Sequence, residues 1–101
     1  MTYAKVFDHL FIPFHNNILM HRMSADLFQV DTKHCIVLVD RFSNHMWVQM
    51  LRSQITSSIT AILERWFLKV DYPFILLSDG GPQFRTEFDD YCDLHYIVHV
   101  P

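Results

Sequence analysis

The stretch that most constrains the fold is an apolar run that stops at a polar turn. Residues Phe74 to Leu77 are all hydrophobic, and Ser78, Asp79, two glycines and Pro82 follow at once. This pattern predicts a buried strand that ends near Asp79 and a sharp turn into a helix. In open α/β sheets, ligands bind at the carboxyl ends of the strands. Asp79 is therefore a candidate metal ligand or acid–base group, and the alternative is that it only caps the turn.

The length and composition of the chain indicate one globular domain. Of its 101 residues, 50% are hydrophobic and 15% are aromatic, which is enough for a core. The net charge of −3 does not indicate a strongly basic nucleic-acid binder, although a site with bound cations can still hold phosphate. Cys35 and Cys92 lie far apart and outside any CxxC, so we expect reduced, buried thiols in an intracellular protein, either nuclear or cytoplasmic. No stretch reaches the roughly 18 apolar residues of a membrane span.

Three apolar runs in the first half of the chain predict strands. They lie at 25–30, 35–39 and 45–51, whereas residues 1–22 show no clear period and predict no particular element. The β-branched run 35–39 is typical of a central strand buried on both faces. The connections between the runs are short, which favours antiparallel hairpins.

Two stretches with a helical period alternate with the last two strands. After the helix-start residues 56–58, apolar side chains recur with helical spacing at Ile59, Ile62, Leu63, Trp66, Phe67 and Val70. A second amphipathic helix is indicated by Phe84, Phe88, Tyr91 and Cys92, and residues 96–100 read as a final strand. The order β-β-β-α-β-α-β predicts an α/β fold, a mixed five-stranded sheet with flanking helices. Its fourth strand follows a crossover helix and is expected to run parallel to an earlier strand.

Two aspartates lie on predicted strands in apolar surroundings. Asp26 is in the first strand and Asp79 ends the fourth, and these two strands can lie side by side at the centre of such a sheet. Neighbouring carboxylates repel each other unless a cation lies between them, which favours a divalent-metal site. Hard oxygen ligands favour Mg²⁺ or Mn²⁺, and a pair of such ions suits phosphodiester chemistry. The alternative is that Asp26 faces solvent on an edge strand.

The remaining polar residues are weaker candidates. Asp40 ends the second strand and is expected to cap a turn. Asp89, on the second predicted helix, is expected to be a solvated charge. The histidines at 45, 95 and 99 have no partner at catalytic spacing, and no Ser/His/Asp arrangement stands out.

Three blocks of sequence resemble the catalytic core of retroviral-type integrases, and among these the integrases of gypsy-like LTR retrotransposons. The blocks are ADLF at 25–28, IVLVDRFS at 36–43 and LSDGGPQF at 77–84. The resemblance covers roughly residues 23–99. It implies a ribonuclease H-like fold for a partial integrase catalytic core over 23–101, preceded by the unassigned segment 1–22.

The resemblance also implies a function. Asp26 and Asp79 match the first two metal-binding acids of an Asp-Asp-Glu triad, which uses Mg²⁺ or Mn²⁺ for DNA 3′-end processing and strand transfer. The glutamate follows the second aspartate by some three dozen residues, a position beyond Pro101, and the helix that carries it has no match. The resemblance thus implies a truncated core with a weak metal site, little activity alone and one uncovered sheet face. DNA is the expected partner, and a homo-oligomer is allowed.

Two functions of other classes stay open. A non-catalytic nucleic-acid-binding module would show salt-dependent DNA binding that is insensitive to Asp26→Ala. A protein-interaction module that uses an exposed apolar face would self-associate without any response to DNA or metal.

Overall fold

The computed structural model describes residues 21–101, which form a five-stranded sheet and two α-helices. The strands are β1 (Arg22–Val30), β2 (Lys33–Asp40), β3 (Met46–Leu51), β4 (Ile75–Leu77) and β5 (Val98–Val100). The helices are α1 (Thr56–Val70) and α2 (Thr86–Leu94), and a short 3-10 helix (Pro82–Phe84) precedes α2. Neither α-helix of this described part is long and apolar enough to cross a membrane. The segment 1–22 lies outside the described residues except for its last two positions.

The strands lie in the order β3-β2-β1-β4-β5 across the sheet. β1 pairs antiparallel with β2, and β2 antiparallel with β3, whereas β4 runs parallel to both β1 and β5. This mixed sheet confirms the predicted fold class. It also confirms that the first and fourth strands lie side by side, with β1 at the centre of the sheet.

The two hairpin turns depend on residues that tolerate a left-handed backbone. Asp31 has φ 56° between β1 and β2, and Asn44 has φ 65° between β2 and β3. Asp and Asn adopt this region more readily than other non-glycine residues because their short polar side chains bond locally. Asp40 stabilises the second turn by accepting a hydrogen bond from the backbone N–H of Phe42 at 2.8 Å. The predicted capping role of Asp40 is therefore confirmed.

The core lies between one face of the sheet and the two helices. The predicted stripe of α1 is confirmed: five of its six apolar side chains are buried, namely Ile59, Ile62, Leu63, Trp66 and Phe67, and Val70 packs against them. α2 adds Phe88 and Cys92, and the sheet adds Met23, Ala25, Ile36, Leu38 and Leu76. Each large side chain buried in this way stabilises the fold by about 1.5–3 kcal/mol. Cys92 and Cys35 are not joined in a disulfide, and Cys92 is buried as predicted, whereas Cys35 is only partly buried.

The opposite face of the sheet is open. Phe28, Val48 and Met50 are 37%, 54% and 53% exposed there, and Val37 of β2 is only partly buried. The prediction that the strand at 35–39 is buried on both faces is therefore wrong. Both helices pack on the face to which Ile36 points, and a β-branched run by itself does not reveal that only one face is covered.

The final strand is shorter than predicted. Tyr96 adopts a left-handed backbone with φ 57°, and the N–H of Ile97 donates to the carbonyl oxygen of Cys92 at 2.8 Å. These two residues therefore close the C-terminus of α2, and pairing with β4 begins only at Val98.

Candidate metal site at the ends of β1 and β4

Asp26 and Asp79 occur at the same level of two neighbouring parallel strands. Ser24 of β1 pairs with Leu77 of β4, and each aspartate comes two residues later in its own chain direction. Alternate residues of a strand point to the same face, so Asp26 and Ser24 share the open face of the sheet. Asp26 lies in mid-strand because β1 extends beyond the end of β4, whereas Asp79 lies in the turn after it. Asp26 is thus exposed to solvent, as the alternative has it, but it lies on the central strand and not on an edge strand.

The two carboxylates interact electrostatically. Partial burial raises the pKa of Asp26 above the usual value of 3.8, and the negative charge of Asp79 raises it further. Among residues 21–101, no donor forms a hydrogen bond with the carboxylate of Asp26. The repulsion is therefore not relieved within this part of the chain, and a bound cation would relieve it.

Asp79 also caps the turn that follows it. Its Oδ1 accepts a hydrogen bond from the backbone N–H of Gly81 at 2.9 Å. A carboxylate offers about four acceptor positions, so one backbone hydrogen bond leaves it able to bind a cation as well. Asp79 therefore does cap the turn, and this hydrogen bond does not exclude a ligand role.

The turn after Asp79 is held by contacts with three other parts of the structure. The N–H of Ser78 donates to Val100 of β5 at 3.1 Å, and Arg85 Nε donates to the carbonyl oxygen of Gly80 at 3.2 Å. The Thr56 hydroxyl, at the start of α1, donates to the carbonyl oxygen of Gln83 at 3.0 Å. The 3-10 helix then ends on Phe84, which is 1% exposed and packs in the core. Asp79 is thus carried by an anchored turn.

The residues present fit a hard divalent cation in part. Mg²⁺ retains several waters and is commonly held by one or two carboxylates together with substrate phosphates. Asp26 in β1 and Asp79 in the turn after β4 supply two such carboxylates. Within the described range 21–101, no group of three or more His, Cys, Asp or Glu side chains is placed to hold a metal ion.

The prediction that the histidines lack partners is wrong for His99. Its Nε2 lies 2.6 Å from Oγ of Ser78, and its Nδ1 lies 2.5 Å from Oδ1 of Asp89. Asp89 is therefore a hydrogen-bond partner and not merely a solvated charge. One signal of this was present in the sequence. His99 comes two residues after the apolar Ile97, so in a strand both side chains point to the covered face, where a polar group needs a partner.

A second polar cluster joins α1 to α2. The carboxylate of Glu64 accepts hydrogen bonds from the hydroxyls of Tyr72 at 2.7 Å and Tyr91 at 2.8 Å. His95 stacks on the ring of Tyr72 with 4.6 Å between centroids, and its Nε2 lies 3.6 Å from Glu64. Burial acts to raise the pKa of Glu64, but the two tyrosine hydrogen bonds and His95 lower it below the usual 4.5. The carboxylate of Glu64 and both tyrosine hydroxyls have partners in this cluster, which indicates a structural role.

Comparison with known proteins gives matches among solved structures only. No model of a known protein family matches the chain, and no curated protein matches it. The chain is similar to the HTLV-2 integrase catalytic core domain in its dimeric complex with magnesium (TM-score 0.71, 20% identity). It is also similar to the catalytic core domain of BIV integrase (0.70, 19%) and to the simian T-cell lymphotropic virus intasome in complex with the PP2A regulatory subunit B56 gamma (0.71, 22%).

Each of these matches covers 80% of this chain. The chain spans 59%, 53% and 31% of the three solved chains, so it corresponds to less than two thirds of each. The mixed five-stranded sheet with two helices matches these neighbours at a TM-score of 0.70–0.71. The chain has the ribonuclease H-like fold of retroviral integrase catalytic cores.

Proposed function

We propose that this chain is part of an integrase catalytic domain of a retrotransposon. The activity proposed for the complete domain is Mg²⁺-dependent DNA 3′-end processing and strand transfer, which together integrate DNA. The observation that carries the proposal is that Asp26 of β1 and Asp79, two residues after the end of the parallel neighbouring strand β4, lie close enough for Asp79 to raise the pKa of Asp26. In a fold shared with integrase cores, this pair corresponds to the two carboxylates expected from the sequence resemblance.

The chain's own residues have distinct roles in this proposal. Asp26 and Asp79 would hold the cation through carboxylate oxygens. When bound, Mg²⁺ or Mn²⁺ supplies a Lewis acid that activates an oxygen nucleophile near neutral pH and offsets charge on the phosphodiester. Arg85 lies at the rim of the same turn, hydrogen-bonded to Gly80, and its exposed guanidinium is suited to a DNA phosphate.

We further propose that this chain alone has negligible activity. The supporting observation is that no third carboxylate accompanies Asp26 and Asp79 in residues 21–101, although the resemblance implies an Asp-Asp-Glu triad. DNA is the proposed partner, in the nucleus or the cytoplasm. A homo-oligomer is consistent with the dimeric form of the HTLV-2 core.

Metal binding tests the proposal directly. Titration with Mn²⁺, followed by water proton relaxation, should show binding to the wild-type chain and at least a tenfold weaker affinity in Asp26→Asn and Asp79→Asn. Asp31→Asn is a matched control because Asp31 is exposed in the first hairpin turn, and asparagine tolerates its left-handed backbone. Equal affinities in all four proteins would contradict the proposal.

A DNA assay tests the proposed lack of activity. Supercoiled DNA and a labelled duplex should stay intact with the wild-type chain and Mg²⁺. Magnesium-dependent nicking that Asp79→Asn abolishes would overturn this part of the proposal and show that two carboxylates suffice.

The open sheet face favours a second candidate, a protein-interaction module. Phe28 of β1 and Val48 and Met50 of β3 are exposed apolar side chains on the open face, and the partly buried Val37 of β2 lies between these two strands. Sedimentation at several concentrations tests this candidate. Self-association that is unchanged by Mg²⁺, by DNA and by Asp26→Asn would support it, and a monomer at all concentrations would exclude self-association.

A further inference from the structure

Ser78, His99 and Asp89 form a hydrogen-bonded chain that joins three elements. Ser78 follows β4, His99 is in β5 and Asp89 is in α2. The His99 side chain is only 4% exposed, and its ring meets the ring of Phe88 edge to face with 4.9 Å between centroids. Since both ring nitrogens have a partner, the buried imidazole is fully hydrogen-bonded.

The donors in this chain follow from the chemistry of its members. An ionised carboxylate only accepts, so Nδ1 of His99 donates to Asp89. The hydroxyl of Ser78 lies 3.0 Å from the carbonyl oxygen of Asp79, to which it can donate, and 2.6 Å from Nε2 of His99. Because a hydroxyl has one proton, it donates to one of these two groups at a time, and its oxygen accepts from Nε2 when Nε2 carries a proton. The side chain of Ser78 is therefore fixed in direction immediately before the candidate metal ligand.

The order of groups matches that of a serine nucleophile, but the location does not. Ser78 continues the alternation of β4 to the helix-covered face, the side of Leu76, whose strand partner is His99. The oxygen of Ser78 lies against the ring of His99, which is almost wholly buried. A substrate bound on the open face of the sheet would therefore not reach this oxygen from the side of His99. Asp79, the next residue, returns to the side of Asp26. The geometry therefore supports the placement of Asp79 and not covalent catalysis.

The placement of Asp79 needs such support because the strands that carry it are short. β4 and β5 have three residues each, and beyond Leu77 their pairing continues through one bond, from Ser78 N–H to Val100. We infer that Ser78, His99 and Asp89 are positioning residues, which hold Asp79 beside Asp26 by tying the end of β4 to β5 and α2. This inference rests on the proposed metal site. Supporting groups of this kind change metal affinity by about 10–100-fold.

The test compares substitutions of Ser78 and Asp89 with matched control substitutions. Asp89→Asn and Ser78→Ala should each weaken Mn²⁺ binding about tenfold. Asp90→Asn, an exposed neighbour on α2, and Ser78→Thr, which retains the hydroxyl, should bind like wild type. Thermal unfolding in the absence of metal establishes that each variant is folded. A variant that does not fold is replaced by Asp89→Ser, which shortens the side chain at an exposed position.

A second readout needs no metal. The Gly81 N–H is hydrogen-bonded to Oδ1 of Asp79, so its hydrogen exchange reports the geometry of the turn. Exchange of this amide should be faster in Ser78→Ala and Asp89→Asn than in Ser78→Thr and Asp90→Asn.

The two readouts separate the inference from the proposed function. Wild-type exchange at Gly81 in both Ser78→Ala and Asp89→Asn would overturn the positioning role, whatever the metal titration gives. A wild-type protein that binds no Mn²⁺, with Gly81 exchange that still responds, would overturn the proposed metal site and leave the placement of Asp79 supported.

Discussion

Gly81 lies so close to Asp79 that a β-carbon on Gly81 would stand 3.0 Å from Oδ1 of the Asp79 carboxylate. It would also stand 3.1 Å from Oε1 of Gln83, so the added atom is crowded from two sides. The backbone of Gly81 is ordinary, with φ −64°, so a larger residue here meets a lack of space and not backbone strain. Asp79 or Gln83 would have to shift by a few tenths of an ångström to make room.

Gly81→Ala should therefore displace the Asp79 carboxylate. We expect weaker Mn²⁺ binding and a loss of about 1 kcal/mol in the free energy of unfolding, the low end of the cost of overpacking. Relaxation titration and urea unfolding measure the two effects. Gly80→Ala is the control, because a β-carbon there has no atom within 4 Å. Equal metal affinity in the two alanine variants would show that Asp79 tolerates the added methyl.

Asp26→Asn should have opposite effects on stability with and without metal. The raised pKa of Asp26 means that its charge destabilises the folded state, and this destabilisation is removed as the pH falls through that pKa. At neutral pH with EDTA, the substitution should raise the free energy of unfolding, by less than about 1 kcal/mol. With excess Mg²⁺, the wild type should gain stability and the variant should not. Thermal unfolding under both conditions measures this reversal, and a variant that gains as much from Mg²⁺ as the wild type would contradict it.

The tyrosines bound to Glu64 should make the fold sensitive to alkaline pH. Burial and the hydrogen bond with Glu64 raise the pKa of Tyr72 from 10.0 to about 12, and the pKa of Tyr91 is raised by the same causes. A raised folded-state pKa gives stability that is complete below the unfolded pKa and is lost as pH rises through the folded one. Urea unfolding should therefore show falling stability between pH 10 and about 12. The fall should be smaller in Tyr72→Phe, and an equal fall in that variant would exclude this cause.

Glu64→Gln should weaken the contact between α1 and α2. The amide oxygen cannot replace two carboxylate oxygens as acceptors for Tyr72 and Tyr91, and its NH₂ group faces hydroxyls that need an acceptor. We expect a loss of about 1–2 kcal/mol in the free energy of unfolding at neutral pH. Glu87→Gln, a substitution at an exposed position on α2, should lower the free energy of unfolding by only about a few tenths of a kcal/mol. Similar losses in urea unfolding of the two variants would show that the tyrosines find other partners.

Much of the fold could be predicted because its elements carry distinct hydrophobic periods. The apolar stripe that begins at Ile59 predicted α1. Because a strand after a crossover helix pairs in parallel with an earlier strand, the element order then predicted that Asp26 and Asp79 are neighbours. The metal role of that pair remains a prediction. The sequence did not show which face of β2 is covered, because Val37 and Ile36 are equally apolar and only the packing of the helices distinguishes them.

The Ser78–His99–Asp89 chain could not be predicted for a different reason. Ser78 is 21 positions from His99, and Asp89 is 10 positions from it. The three residues belong to different parts of the fold, so no spacing in the sequence indicates that they meet. Only the pairing of β4 with β5, and the docking of α2 beside them, bring the side chains together. The left-handed backbone of Tyr96 could not be predicted either, because an aromatic side chain favours a strand by propensity.

The sheet topology also indicates the order in which the parts of the candidate site form during folding. The β1–β2–β3 meander is joined by tight turns, so its pairings close short loops and can form early in folding. The β1–β4 pairing that brings Ser24 to Leu77 closes a loop containing two strands and α1, and is therefore expected to form later. A chain that has formed only the meander carries Asp26 without Asp79. An ion that needs both carboxylates should therefore leave the rate of folding unchanged and slow only the rate of unfolding.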